Sequence, residues 1–139
     1  MGGSGTTEIA PGAQLVINAA SDVSLVDGRI LKNDGTIIWS SGVIDTLGES
    51  TIFNTDSGTF YIGTDNVINS DGTATFHNQG ILTKITGSGT ATLNIALVLD
   101  AAPFSTGDVV EVASGTLVVA GGGQSAGFFT TRFGGVARC

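Results

Sequence analysis

Residues 33–63 read NDGTIIWSSGVIDTLGESTIFNTDSGTFYIG and, with the three residues before them, state one phrase twice. An apolar run ends in Asn, a polar turn closes on Gly-Thr, and a short β-prone run follows. The first copy is Ile30-Leu31-Lys32-Asn33, Asp34-Gly35-Thr36, Ile37-Ile38-Trp39. The second is Ile52-Phe53-Asn54, Asp56-Ser57-Gly58-Thr59, Phe60-Tyr61-Ile62, and a worn third is Phe76-His77-Asn78, Gln79-Gly80, Ile81-Leu82-Thr83. Self-similarity at a period in the low twenties is the signature of a solenoid.

Working outward, one glycine precedes each central strand: Gly12, Gly35, Gly58, Gly80, Gly107 and Gly127. Their spacings by subtraction are 23, 23, 22, 27 and 20. The long interval contains Pro103 and reads as a loop insertion. Short alternating runs fill the rest, among them Val23-Ser24-Leu25, the TATLNIALVL of residues 90–99, and Phe128-Phe129-Thr130-Thr131. Nowhere does a helical period stand between two caps, so essentially no α-helix is expected.

A leucine-rich repeat is excluded by the missing LxxLxLxxN pattern. A meander of hairpins could use the Asp27-Gly28 and Asp71-Gly72 turns. The return of like residues after a whole period favours a coil instead, in which each strand pairs with its copy one coil along, about 4.8 Å away. Ile37 then lies under Phe60 and Leu82, and Trp39 under Ile62. Leu31, Ile52 and Phe76 complete the expected core stack. The expected fold is all-β: a single-domain parallel β-helix (β-solenoid) of about six coils of 20–27 residues, with residues 6–131 in the solenoid. At about 4.8 Å per coil that makes a rod roughly 30 Å long.

Two polar features admit alternatives. Asn33, Asn54 and Asn78 either point inward as an amide ladder or stand exposed as ordinary turn asparagines. They lie two, four and two residues before their glycines. Lys84, two residues after Leu82, falls where Trp39 and Ile62 point inward. Either it sits at the strand's outer end, or the coil shifts by one so that Ile81, Thr83 and Ile85 face in; the shift is preferred.

The composition agrees with short strands and tight turns. Charged residues make up 12%, against roughly 25% in ordinary soluble domains, and glycine counts 22 of 139. The net charge is −7, and the five basic residues (Arg29, Lys32, Lys84, Arg132, Arg138) never cluster, which argues against a nucleic-acid surface. No apolar run approaches the roughly 18 residues of a membrane span. Residues 1–5, MGGSG, look like an expression leader or flexible start, and residues 132–139 an irregular C-terminal tail. Cys139, the only cysteine, has no intrachain partner and reads as an appended handle or a truncation scar, with an interchain disulfide as the alternative.

Chemistry finds little purchase. One histidine and one cysteine cannot make a zinc set, and Thr7 stands where the GGxGxD calcium motif needs Asp. Calcium on the scattered Asp45, Asp56, Asp65 and Asp71 stays open, whereas a polysaccharide lyase or hydrolase using Asp56 and Asp65 wants adjacent Arg or Lys, and the nearest are Lys32 and Lys84. His77 reads as a solvent-facing strand residue. Gly121-Gly122-Gly123 lacks the Lys and helix of a phosphate loop. The Thr-x-Thr pairs at residues 73–75 and 90–92, an ice-binding device in some solenoids, are 17 residues apart and off the coil period. Trp39 is expected in the core and Tyr61 outward. No enzyme activity and no cofactor is expected.

The runs GTTEIAPGAQLVI, GRILKNDGTIIWSSGVID, TIFNTDSGTFYI, ATFHNQGILTKITGSGTATLNI and VVEVASGTLVVAGGGQSAG resemble the glycine- and threonine-rich β-strand repeats of large bacterial surface proteins, adhesin-like or autotransporter-passenger-like. The resemblance covers Gly5 to Gly127 and rests on composition. It implies a right-handed parallel β-helix, an extracellular or cell-surface location and a stalk or scaffold role, with no catalytic residues to carry over. The residues therefore read as a structural segment that stacks end to end on its own copies as a rod or filament. The alternative is an adhesin module for a glycan or host surface.

Overall fold

The computed structural model describes residues 1–99, 109–125, 128–131 and 135–138. Among these residues there is no α-helix, and the chain winds as a parallel β-solenoid, its six three-stranded rungs separated by five windings. The first rung is β1 (Gly5–Ile9), β2 (Gln14–Asn18) and β3 (Val23–Leu25); the second is β4 (Arg29–Asn33), β5 (Thr36–Ser41) and β6 (Ile44–Thr46). β7 (Thr51–Asn54), β8 (Thr59–Ile62) and β9 (Val67–Ser70) make the third; β10 (Thr75–Asn78), β11 (Ile81–Lys84) and β12 (Thr90–Leu93) the fourth. β13 (Ala96–Leu99), β14 (Val109–Val112) and β15 (Thr116–Val119) form the fifth. The last described rung is β16 (Gly123–Ser125), β17 (Phe128–Thr131) and β18 (Val136–Arg138).

Every third strand joins the same sheet. The first sheet runs β1-β4-β7-β10-β13-β16, the second β2 through β17, and the third β3 through β18. All these pairings are parallel, which removes the hairpin meander. The register stacks Leu31, Ile52, Phe76 and Leu97 in one row and Ile37, Phe60, Leu82 and Val110 in another. Alternation along each strand turns these residues inward, where they are buried. Phe60 and Phe76 meet across the core edge to face, centroids 5.2 Å apart. Trp39, buried on the row of Ile62, donates its indole N–H to the Gly42 carbonyl at 2.8 Å, so its one polar atom is satisfied.

The marker glycines need one correction. Thr36, Thr59 and Ile81 share a row, so Gly35, Gly58 and Gly80 do as well. Gln14 pairs with Thr36, which sets Ala13, not Gly12, under Gly35. The physical reason is crowding from the rung beneath. A Cβ at Gly58 would run into the Asn33 carbonyl and the Asn54 side chain; one at Gly80 would strike the carbonyls of Gly58 and Thr55. No rung lies beneath β2, so Ala13 fits there. Gly107, Gly127, the Pro103 insertion and Cys139 lie outside the described residues.

The two ends also differ from the sequence reading. Gly5 is already paired with Arg29, while Met1 donates its ammonium to the Ser24 carbonyl at 2.6 Å and accepts from the Val26 amide at 3.0 Å. Met1 thus stands beside Leu25 as a strand partner would. At the other end, Val136–Arg138 is not irregular but pairs with β15. Three residues are too short a run to read as a strand alone; the hydrogen bonds of the rung below order them.

Candidate functional site

The first polar constellation is a ladder inside the core. Asn33, Asn54 and Asn78 are fully buried and share one row of the first sheet. Asn33 Nδ2 donates to Asn54 Oδ1, and Asn54 Nδ2 to Asn78 Oδ1, both at 2.7 Å. Each amide also ties down the corner that follows. Asn33 Nδ2 donates to the Thr59 carbonyl and Asn54 Nδ2 to the Ile81 carbonyl, each at 3.0 Å, and the Gly35 amide donates to Asn33 Oδ1 at 3.2 Å. Of the two readings open to the sequence, the inward ladder is the observed one. The uneven Asn-to-Gly spacing is absorbed in the turns. Thr55 closes the longer one by accepting from the Gly58 amide at 2.9 Å, its hydroxyl donating to the Asn33 carbonyl at 3.0 Å.

Lys84 is the second constellation and a correction. The coil does not shift. Lys84 pairs with Ile62 and Val112, occupies the inward row of Trp39 and is fully buried, while Ile81 and Ile85 are exposed. Thr83 is buried as well, yet sits on the outward row of Tyr61. A dry ammonium survives only with oxygen partners. Lys84 Nζ donates to Asp65 Oδ1 at 2.8 Å, to the Thr86 carbonyl at 2.6 Å and to the Gly87 carbonyl at 3.3 Å. The Lys84 hydrogen bond, helped by the Gly89 amide on Oδ2, holds the Asp65 carboxyl below the usual carboxylate range. Such an arrangement positions a corner.

Outward polar rows complete the inventory. Lys32 bridges Glu8 at 3.3 Å and Asp34 at 2.7 Å; these hydrogen bonds, Asp34 first, raise the Lys32 pKa, and the Lys32 bond lowers that of Asp34. On the third sheet an exterior ladder was missed from sequence: Asn69 donates to Asp45 at 3.1 Å and Asn94 to Asn69 at 3.3 Å. Its signal was present, since Asn69 and Asn94 each follow an inward residue, Ile68 and Leu93. Asp71 accepts from the Thr73 hydroxyl at 2.6 Å and the Gly48 amide at 2.8 Å, which pulls its pKa to about 2.

The catalytic candidates are not gathered. Asp56 lies in the turn between β7 and β8, Asp65 in the turn between β8 and β9 beside Lys84. Among the described residues no group of three or more His, Cys, Asp or Glu could hold a metal ion. His77 stands on the outward row of the first sheet, edge to face with Phe53 at 6.3 Å. Thr75 lies on the first sheet and Thr90 and Thr92 on the third, so the Thr-x-Thr pairs share no face. Half-buried Tyr61 is on the outward row with Ile38, and no second outward aromatic lies on that described row. No described helix is long and apolar enough to cross a membrane.

What remains is the pair of end rungs. β1, β2 and β3 close the three sheets at one end, β16, β17 and β18 at the other. Ile9 and Ile17 on the first rung are buried but more open to solvent than most of the core. Beside them an apolar cavity of about 20 Å³ is lined by Ile17, Leu25, Leu31, Phe60 and Met1.

These features define a parallel β-solenoid repeat protein with a polar ladder in an apolar core. Compared with protein-family models, curated proteins and solved structures, the chain matches none.

Proposed function

We propose that this chain is a structural rod segment whose end rungs stack on those of further copies, extending the solenoid as an extracellular or cell-surface scaffold. The observation that carries the reading is the continuity of the rows. The same parallel register runs from the first rung to the last, and at both ends it stops on strands with no further strand beside them among the described residues, only Met1 touching the outer edge of β3. A strand edge with unpaired N–H and C=O groups is a template for another strand. The low charged fraction of 12% makes close approach of two such ends less costly than on an ordinary surface. The resemblance to bacterial surface repeats supports the location.

Sedimentation velocity over a hundredfold concentration range, with electron microscopy of the most concentrated sample, tests the reading. Rods longer than one copy and lengthening with concentration are expected. A single monomeric boundary throughout would refute it.

A further inference from the structure

We infer that the stacking is head to tail and in register, the last rung of one copy seated on the first rung of the next, with Arg138 of one copy meeting Asp22 of its neighbour. The inference rests on the stacking reading above and adds its polarity, register and dependence on charge.

The rows supply the geometry. On the third sheet Arg138 pairs with Val118, Val118 with Thr92, and Thr92 with Val67. Ile68 pairs with Ile44 and Ile44 with Val23, so Val67 stands by Val43 and Val43 by Asp22. The Val23 amide donates to the Val43 carbonyl at 2.8 Å, as that register requires. Asp22 and Arg138 are therefore the two ends of one row, and both are exposed. Continuing the row by one rung sets the Arg138 and Asp22 backbones about 4.8 Å apart with both side chains on the outward face, within reach of an ion pair. The first sheet gives a second match. Its outward row runs Glu8, Lys32, Phe53, His77, Val98, Gln124, so continuation lays the Gln124 amide on the Glu8 carboxylate, donor to acceptor.

Charge sets the polarity. Residues 1–28 hold Glu8, Asp22 and Asp27 and no Lys or Arg. Residues 112–139 hold Arg132 and Arg138 and no Asp or Glu. Two first rungs brought face to face would oppose three carboxylates and the Met1 ammonium to the same set, a net −2 against −2 by −3 + 1, as would any antiparallel arrangement of copies at that end. Met1 occupies the row of Leu25, whereas β18 reaches the row of Asp22, so Met1 of one copy and Arg138 of the next lie three rows apart on the shared rung.

The test uses the full 139-residue chain at low salt, with Asp22→Arg and Arg138→Asp made singly, each checked by circular dichroism for an unchanged fold. Each single variant sets like charge against like at every junction. The concentration needed for assembly should rise about tenfold, the size expected when an exposed attraction becomes a repulsion. Mixing the two variants in equal amounts should restore assembly, because every alternating junction then opposes unlike charges. Added salt should narrow the gap between wild type and single variants. If the single variants assemble like wild type, or the mixture fails to recover, the register inferred here is wrong while stacking stands. If the wild-type chain never assembles, the stacking reading itself falls.

Discussion

Replacing Asn54 by Leu probes the internal ladder at its middle position. The substitution removes the acceptor of Asn33 Nδ2 and the donor to Asn78 Oδ1, the Ile81 carbonyl and the Gly58 carbonyl. The groups differ in what they retain. Asn33 Nδ2 keeps the Thr59 carbonyl, and the Gly58 carbonyl keeps the Ile81 amide. Asn78 Oδ1 loses its donor in a dry interior, at about 1–3 kcal/mol, and the half-buried Ile81 carbonyl loses one at about 1 kcal/mol. Burying the extra apolar surface of Leu returns about 1 kcal/mol, leaving a destabilisation of about 2 kcal/mol. Asn78→Leu is the matched comparison. It removes the acceptor of Asn54 Nδ2, which keeps Gly58 and Ile81, and it takes a donor only from the Gly80 carbonyl. The next residue on the row is Leu99, so Leu fits there, and the expected cost is about 1 kcal/mol. Urea unfolding followed by the fluorescence of Trp39, the single and buried tryptophan, reads both variants. An Asn78→Leu cost equal to or above that of Asn54→Leu would refute the reasoning, because position in the ladder would then not matter.

Two further outcomes follow from the polar corners. Lys84→Met keeps the apolar stem on the row of Trp39, Ile62 and Val112 and leaves Asp65 able to turn to solvent; it should cost about 1 kcal/mol, whereas Lys84→Ala opens a cavity as well and should cost about 3 kcal/mol. Equal urea midpoints for the two would mean that the stem does not pack. Asp71 has a folded pKa of about 2 against an ordinary 3.8, so the stability it lends is fully present above about pH 4 and is lost as pH falls through 2. A carboxyl-carbon NMR titration of the folded chain checks this; an Asp71 midpoint near 3.8 would show that the Thr73 and Gly48 bonds do not persist.

The solenoid was legible because Ile37, Phe60 and Leu82 repeat in kind and place, and a coil stacks like residues one period apart where a meander does not require it. The errors have separate physical causes. Gly12 misled because a turn glycine with φ of 80° sits one residue from the row where Gly35, Gly58 and Gly80 are needed for close approach. Lys84 misled because the partners that make its burial tolerable are two backbone carbonyls and a carboxylate 19 residues away, none of which its own neighbourhood announces. The ladder was only half legible: the sequence offers three asparagines, but equal register emerges only once the turn after Asn54 folds its extra residues outward.

The polar interior also answers a question the apolar rows leave open. Alternation fixes which face of a strand points inward, yet a slip of two residues preserves that face, so rows of Ile, Leu and Val tolerate it. Slipping β7 by two residues along β4 would set Asn54 against Leu31 or past the strand end, stranding amides at about 1–3 kcal/mol each. Asn33, Asn54 and Asn78 therefore select one register among several that the hydrophobic effect alone would accept. The ladder stops before either end of the rod, for its row holds Ile9 on the first rung and Ser125 on the last. In the proposed stack no buried amide is left to set the register between copies, and the exterior Asp22–Arg138 and Glu8–Gln124 matches must do it. Salt screens such exposed pairs and leaves a buried ladder untouched. Ionic strength should therefore act on the joints between copies and spare the windings within one.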